Sequence, residues 1–273
     1  LYVGIADGGS GGDPLNLSQN LNSAFGKIFR IDPLGSNSTN RSYGIPTDNP
    51  FTNDGDNNTL SEIYASGVRN PQRFAWDSDN GNMFLADIGQ NIVEEISLVT
   101  SGANLGWNTW EGSFRFISRS AVSLSNPRGD EALTYPVAEY GQEDPLLQRS
   151  SAATGLHVYR SDAIPELADL VLFGDNPSGE VFYVRADGLP SGGQQAIRRI
   201  LLNDRGDSKT LLQLIQEKNR EQGRSPAGRA DLRFGSGPDG QVFLLNKRDG
   251  IIRLFVSSTG SGNADSGHPD IFE

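Results

Sequence analysis

Three segments of this chain repeat one short pattern, and this repetition limits the folds open to the chain more than any other feature. Each segment has a turn that ends in Gly, then a polar residue, an apolar residue and Phe. The segments are DNGNMFLADIG (79–89), PSGEVFYVRADG (177–188) and PDGQVFLLNKRDG (238–250). Glycine is expected at Gly81, Gly179 and Gly240 because tight hairpin turns need a positive φ. The opening LYVGIADGG resembles a further copy without the turn.

Short apolar runs flank each repeat, which predicts units of three or four antiparallel strands. The turn glycines are 98 and 61 residues apart along the chain. With about 50 residues per blade, as in kelch arrays, the wider gap holds either one blade with a long insertion or two blades. We therefore predict an all-β chain, a β-propeller with about four blades visible over residues 1–256.

Polar segments rich in Gly, Ser, Asn, Asp and Pro separate the predicted strands and are expected to form long loops. One segment breaks the all-β pattern. Residues 208–223 place leucines and an isoleucine on one helical face, with Asp207 or Ser208 as the cap. The Gly- and Ser-rich tail, residues 257–273, is predicted to be loose.

Composition and charge argue against several classes of function. The chain has no cysteine, so it has neither a disulfide scaffold nor a thiolate metal site. Its net charge of −11 would repel nucleic-acid phosphates. No apolar run approaches the ~18 residues of a membrane span. The chain begins inside an apparent strand, without a leader, so we expect its natural N-terminus to lie upstream.

The segment 67–96, GVRNPQRFAWDSDNGNMFLADIGQNIVEEI, combines a predicted hairpin with groups that suit a binding site. Arg69, Asn70 and Pro71 form a turn before its first strand. The proline biases Asn70 towards an extended backbone, and Arg69 offers planar donors for a carboxylate or an ortho-quinone oxygen. Taken alone, the tripeptide is more typical of an ordinary loop arginine with a turn asparagine.

This segment resembles the signature of the soluble quinoprotein glucose/sorbosone dehydrogenases, and further matches follow in order along almost the whole chain. They are LYVGIADGG (1–9), GKIFRID (26–32), GIPTDNPF (44–51), GANLGWNTWEG (102–112), GLHVYR (155–160), LADLVLFGD (167–175) and DLRFGSGPDGQVFLLNKRDGIIR (231–253). The resemblance implies a six-bladed propeller with pyrroloquinoline quinone (PQQ) over its central channel, beside one Ca²⁺. It also implies oxidation of aldose sugars by hydride transfer to the quinone, with a histidine as base.

The resemblance implies roles for individual residues as well. Arg69 and Asn70 match a cofactor-contacting pair. Gly89 and Gln90 match two residues whose main-chain carbonyls bind Ca²⁺, a cation that accepts such oxygen ligands. Asp7 matches the aspartate that orients the catalytic histidine.

Two further arginines match positions of the family's site, and two other residues differ from the family pattern. Arg160 stands where the family often has a lysine near the cofactor carboxylates, and Arg233 matches one arginine of a family pair. Ile88 replaces a residue that is often polar and faces the cofactor. Asp231 replaces the second arginine, and a carboxylate there is expected to repel a tricarboxylated quinone.

The catalytic histidine of the family precedes the LYV strand, and nothing precedes that strand here. Of the two histidines present, His157 is predicted to lie in a strand and His268 in the tail, so neither replaces it. Two functions stay open. One is an exported PQQ- and Ca²⁺-dependent sugar dehydrogenase whose missing blades, or a second copy, complete the propeller. The other is a secreted, non-catalytic propeller used for binding or assembly, as in Hedgehog-interacting-type relatives.

Two further pairs of residues have alternative interpretations. Glu94 and Glu95 are adjacent in a predicted strand, so we expect them to face opposite ways rather than to act as paired carboxylates. Trp107 and Trp110 suit either stacking on a sugar or packing between blades.

Overall fold

Short antiparallel strands dominate residues 1–147 and 151–257, the part of the chain that this computed structural model describes. The strands are β1 Tyr2–Ile5, β2 Lys27–Arg30, β3 Ile63–Ser66, β4 Pro71–Trp76, β5 Met83–Asp87, β6 Val93–Val99, β7 Trp110–Glu111, β8 Phe114–Ser118, β9 Ala121–Ser123, β10 Ala138–Gly141, β11 Ala153–Tyr159, β12 Leu170–Asp175, β13 Val181–Arg185, β14 Arg198–Ile200, β15 Leu202–Asp204, β16 Asp207–Lys209, β17 Arg233–Ser236, β18 Val242–Leu245 and β19 Arg253–Leu254. One α-helix, α1, spans Leu211–Glu221, and 3₁₀ turns span Pro145–Leu147 and Pro165–Leu167. The prediction of a mostly β chain is confirmed. Of the predicted tail, all but Ser257 lies outside the described residues.

The strands of the described residues pair into six sheets. Four of them together contain most of the strand residues and are termed the larger sheets; the other two are termed the small sheets, although one of these also has three strands. The larger sheets have the strand orders β1-β2-β3, β4-β5-β6-β10, β11-β12-β13-β14 and β17-β18-β19. The small sheets are β7-β8-β9 and β15-β16. Pairing within the larger sheets is antiparallel. The first strand of each larger sheet (β1, β4, β11 and β17) is termed its end strand below.

The repeated glycine turns have the backbone conformation that the sequence predicts. The φ angle is 76° at Gly81, 73° at Gly179 and 76° at Gly240. Their places in the sheets differ, however. Gly81 and Gly240 lie between an end strand and the second strand, whereas Gly179 lies between the second and third strands. The glycine spacing therefore does not measure the structural repeat: the end strands β4, β11 and β17 begin at residues 71, 153 and 233.

The end strands β4, β11 and β17 lie side by side and run in the same direction. Near their starts, the hydroxyl of Thr154 donates to a carbonyl just before β17 at 3.1 Å. Further along, His157 and Ser236 share a hydrogen bond of 3.0 Å. Beyond the last residues of β11 and β4, Arg160 pairs with Asp77 at 2.7 Å. The starts of these strands therefore meet at one end of the sheets, termed the upper end, and Arg160 and Asp77 mark the lower end.

Apolar side chains fill the spaces between neighbouring sheets. The largest cluster joins the second and third larger sheets, and its members Phe84, Ile96, Phe173 and Phe182 are completely buried. A second cluster joins the first two larger sheets around Leu85. Burial of this apolar surface holds the sheets face to face and so fixes which loops meet at the upper end.

The helix α1 confirms the one helix that the sequence predicts, with a different start. The Thr210 side chain accepts the backbone N–H of Gln213 at 3.2 Å, and the Gln213 side chain accepts the backbone N–H of Thr210 at 2.8 Å. This capping box satisfies two backbone donors and so sets the first turn. The predicted caps, Asp207 and Ser208, lie instead in β16, which pairs with β15. None of the helical segments described, in residues 1–147 and 151–257, has the length and apolar character of a membrane span.

Candidate functional site

Three loops meet at the upper end of the first two larger sheets. Asp7 follows β1, Arg69 and Asn70 precede β4, and residues 88–90 follow β5. The backbone N–H of Asp7 donates to the carbonyl of Arg69 at 2.9 Å. Nη1 of Arg69 donates to the carbonyls of Ile88 and Gly89 at 2.8 and 2.6 Å. The structure therefore brings together five residues that the sequence singled out: Asp7, Arg69, Asn70, Gly89 and Gln90.

Asp87, which the sequence did not single out, holds the Arg69–Asn70 turn in place. One of its carboxylate oxygens accepts the backbone N–H of Arg69 at 2.9 Å, and the other accepts that of Asn70 at 2.6 Å. Burial raises the pKa of Asp87 to about 6, although both backbone donors act in the opposite direction. The sequence feature that could have identified Asp87 is its position at the end of the apolar strand β5, because a carboxylate that ends a buried strand needs hydrogen-bond partners.

Both carboxylate oxygens of Asp7 have partners. The backbone N–H of Gly9 and Nε1 of Trp107 each donate to Asp7 at 2.9 Å. Trp107 is 3% exposed, and the guanidinium carbon of Arg69 lies 6.0 Å from the centroid of its ring. Trp110 is also buried. Of the two alternatives for these tryptophans, packing is therefore confirmed, and Trp107 in addition positions Asp7.

The side chain of Gln90 ties the loop after β5 to the loop after β1. Its Oε1 accepts the backbone N–H of Gly12 at 2.8 Å and lies 3.4 Å from Nε of Arg69. The Ca²⁺ ligands implied by the sequence are main-chain carbonyls, and that of Gly89 accepts a hydrogen bond from Arg69 here. Arg69 and this loop therefore form one connected unit.

A row of buried carboxylates crosses the second larger sheet next to this site. Asp87, Glu95 and Glu139 are direct cross-strand neighbours on β5, β6 and β10. Burial, followed by the neighbouring carboxylates, raises the pKa of Glu95 well above its usual value. Glu94 faces the other side of the sheet and accepts the backbone N–H of Ala153 at 2.7 Å. The prediction that Glu94 and Glu95 point in opposite directions is confirmed.

Arg233 begins β17 and so also lies at the upper end. Its Nη1 donates to the hydroxyl of Thr154 at 3.0 Å. Asp231 lies 2.6 Å from Nε of Arg229 and 2.5 Å from Nε of Arg248. These two guanidinium groups offset the charge of Asp231, and the expected repulsion of a polycarboxylate stays a prediction.

Arg160 lies at the lower end and does not join this site. Its guanidinium pairs with Asp77, Asp169 and Asp187 at 2.7, 2.6 and 2.9 Å. The strand β4 has six residues, so its two ends are roughly 20 Å apart. The structure therefore corrects the expected cofactor contact of Arg160, because this arginine follows the last residue of β11 whereas Arg69 precedes the first residue of β4.

His157 lies in β11, as predicted, with Ser236 as its hydrogen-bond partner. Burial lowers its pKa. His268 falls outside the described residues. Within residues 1–147 and 151–257, no group of three or more His, Cys, Asp or Glu side chains is arranged to hold a metal ion.

Comparison with known proteins decides the family. The family model described as Glucose / Sorbosone dehydrogenase matches residues 1–253. The chain belongs to this family. Relatives of the chain include the HIPL1 protein of Arabidopsis thaliana, 35% identical over 185 residues, which are 64% of this chain and 26% of HIPL1. The aldose sugar dehydrogenase YliI of Escherichia coli is 27% identical over 191 residues, which are 68% of this chain and 45% of YliI.

Solved structures support the same fold for this glucose/sorbosone dehydrogenase family member. A crystal structure of glucose dehydrogenase aligns with a TM-score of 0.61 at 20% identity and covers 94% of this chain and 60% of that one. The PQQ-bound aldose sugar dehydrogenase of Streptomyces coelicolor aligns with a TM-score of 0.55 at 19% identity, covering 96% of this chain and 55% of that one. The chain thus spans little more than half of these solved relatives and about a quarter of HIPL1.

Proposed function

We propose that this chain is part of a six-bladed propeller that oxidises aldose sugars with PQQ and Ca²⁺ in an exported protein. The four larger sheets correspond to four blades within residues 1–256, and further polypeptide or a second copy contributes the remainder. The observation that carries the proposal is the convergence of Asp7, Arg69 and residues 88–90 at the upper end of the first two larger sheets. Loops at one end of a propeller are where a rigid sheet scaffold positions binding groups.

The residues present fit an anionic planar cofactor. Bound PQQ supplies an ortho-quinone that accepts a hydride from the sugar. Arg69 is held by the carbonyls of Ile88 and Gly89 and lies over Trp107, so its guanidinium is ordered before any ligand arrives. These contacts use Nη1, and the remaining amino group stays available as a donor. Asn70 is adjacent, with its backbone fixed by Asp87.

The same loop fits a cation in part. Main-chain carbonyls of Gly89 and Gln90 are hard oxygen ligands of the kind that Ca²⁺ prefers. One carboxylate oxygen of Glu111 accepts the backbone N–H groups of residues 91–93. The other is buried without a hydrogen-bond partner in the described part of the chain, so a nearby cation would lower the cost of its burial. Binding through Gly89 requires Arg69 to release that carbonyl, which couples the cation to Arg69.

Asp7 acts in this proposal as an orienting acceptor for a base. Trp107 and the backbone of Gly9 fix its carboxylate, so it can hold a partner side chain in one orientation. In the ranges 1–147 and 151–257, the histidine present is His157, which is bonded to Ser236. The base is therefore contributed from outside these ranges.

A titration with PQQ tests the site, first with Ca²⁺ and then with a chelator. We expect saturable binding that weakens when Ca²⁺ is removed. Arg69→Ala should raise the Kd at least about tenfold, equivalent to about 1.4 kcal/mol, because an ordered planar donor is lost. Arg185→Ala is the matched control, since Arg185 is exposed at the lower end of β13. Equal affinity of the Arg69→Ala variant and the wild type would reject the proposed site.

The second candidate is a non-catalytic propeller used for binding or assembly. It is favoured by the partners of Asp7, whose carboxylate bonds to Gly9 and Trp107 and to no histidine of the described ranges. A natively folded wild-type chain that binds no PQQ, together with a longer natural protein that also binds none, would support this candidate over the dehydrogenase.

A further inference from the structure

Asp231 is the centre of a group of cations at the upper end of the fourth larger sheet. Its carboxylate lies 2.6 Å from Nε of Arg229, 2.5 Å from Nε of Arg248 and 3.8 Å from Nζ of Lys247. The side chain of Asp231 is 10% exposed, whereas those of Arg229 and Lys247 are 49% and 79% exposed. The carboxylate is therefore inside the group, and the cations extend towards solvent.

The backbone holds Asp231 in this central place. Its φ is 55°, a left-handed conformation that aspartate and asparagine adopt more readily than most residues. The next residue, Leu232, is completely buried in the apolar cluster beside α1. These two features fix the direction of the Asp231 side chain, so the arginines gather around a rigid acceptor.

The group bridges two sheets. Nη2 of Arg229 donates to Oδ1 of Asn176, which follows β12 in the third larger sheet. Arg233, two residues after Asp231, donates to Thr154 at the start of β11. The cations therefore line the junction at which the third and fourth larger sheets meet, on the same end as Arg69.

The charges in this group do not cancel. Four cations, Arg229, Arg233, Lys247 and Arg248, accompany the single carboxylate of Asp231. The nearby Asp249 is paired with Arg253 at 2.5 Å and adds no net charge. A local surplus of positive charge on a chain with a net charge of −11 marks a place where anions bind.

We infer that Asp231 is a positioning residue that gathers Arg229 and Arg248 beside Arg233 into a site for the carboxylate groups of a planar polyanion. The inference rests on the proposed function, because the anion at this end would be the cofactor. Two effects of Asp231 oppose each other. Its charge repels an anion, but its ion pairs hold two long side chains in place before binding, which removes part of the ordering cost.

The variant Asp231→Asn separates the two effects, because asparagine keeps the shape and tolerates the positive φ. If Asp231 acts only through its charge, the variant binds PQQ more tightly. If Asp231 positions the arginines, the variant binds PQQ about tenfold more weakly, since the guanidinium groups are no longer held. Arg229→Ala should weaken binding to a similar degree. Binding is measured by isothermal titration calorimetry at several salt concentrations.

A cofactor-independent probe is benzene-1,3,5-tricarboxylate, a planar trianion. We expect the wild type to bind it, and both variants to bind it more weakly and with a smaller salt dependence, because fewer cations are engaged. Asp77→Asn is the matched control: it removes a buried carboxylate that pairs with Arg160 at the lower end and should leave both affinities unchanged. A purely structural effect would instead lower the thermal stability of all three variants without altering the salt dependence.

The outcomes distinguish the two proposals. Binding of the tricarboxylate without binding of PQQ would keep the cation site and reject the proposed cofactor. Binding of PQQ that is unchanged or tighter in Asp231→Asn would reject the role of Asp231 and keep the proposed function. Absence of tricarboxylate binding by the folded wild type would also overturn the inference.

Discussion

Arginine side chains at the two ends of the sheets have opposite surroundings. At the lower end, Arg160 is 7% exposed and pairs with several carboxylates, so its charge is neutralised within the protein. At the upper end, the guanidinium of Arg69 donates to neutral main-chain carbonyls, and no carboxylate of the described residues forms a direct ion pair with it. Only the second arrangement leaves a cation able to attract an anion, because a guanidinium already surrounded by carboxylates has no net field to offer.

Replacing Arg160 tests this difference at the residue scale. In Arg160→Met, the completely buried carboxylate of Asp77 loses its cation, so the free energy of unfolding should fall by about 3 to 5 kcal/mol. Urea unfolding measures the loss, and Arg160→Lys should recover part of it. PQQ affinity of the folded variant should equal that of the wild type. Weaker PQQ binding by a fully folded Arg160→Met would show that Arg160 contributes to the cofactor site.

At the scale of an element, the strand β6 carries buried carboxylates on both faces. Glu95 lies between Asp87 and Glu139 in register, and like charges directly opposite each other destabilise a sheet. Because the pKa of Glu95 is raised in the folded state, the folded protein holds this proton more tightly than the unfolded chain. The stabilisation is complete below the unfolded pKa and is lost as the pH rises through the raised folded pKa.

Glu95→Gln should remove much of this pH dependence. Glutamine keeps an oxygen for the backbone N–H of Gly112 and never ionises, so the variant should exceed the wild type in unfolding free energy by about 1 to 2 kcal/mol at pH 8. Near pH 4 the two proteins should be equally stable. Urea unfolding from pH 4 to 9 measures the difference. Asp77→Asn is the contrast, because Arg160 at 2.7 Å lowers the pKa of Asp77, so the loss of this carboxylate should destabilise the protein at pH 8. A less stable Glu95→Gln at pH 8 would contradict the argument.

At the scale of the whole molecule, the first larger sheet leaves one side of its end strand open. Within the described residues, β1 is hydrogen-bonded to β2 and lies at the end of its sheet. Leu1, Val3 and Trp76 are exposed by 63%, 37% and 45% near this edge. An open apolar strand edge is a template for pairing with another chain.

We therefore expect the 273-residue chain to self-associate as its concentration rises, and Val3→Lys to reduce that association. A lysine on an edge strand opposes pairing because its charge would have to be desolvated. Sedimentation velocity over a range of concentrations measures the effect. Leu124→Lys is the matched control, since Leu124 is 75% exposed and follows β9, which belongs to a different sheet. Identical association of Val3→Lys and the wild type would exclude this edge as the contact.

Much of the fold and part of the candidate site were predictable from local sequence. The turns at Gly81, Gly179 and Gly240 follow from backbone sterics, and α1 follows from its apolar spacing, since both depend on residues close in the chain. The ordered motifs around Arg69 identified the family. That the three turns occupy different places in their sheets was not predictable, because strand pairing over long sequence distances sets those places.

By itself, then, the sequence determined the strand-and-turn pattern, the family, and the loop that carries Arg69, Asn70, Gly89 and Gln90. Only the tertiary structure decided which charged groups meet. Parallel packing of the end strands β4, β11 and β17 places Arg160 at the lower end. The same packing brings Arg229 and Arg248 around Asp231 at the upper end. The physical reason is that turns and helices follow from local backbone energetics, whereas the net charge at a point in space depends on side chains that pairing and packing bring together from distant parts of the chain.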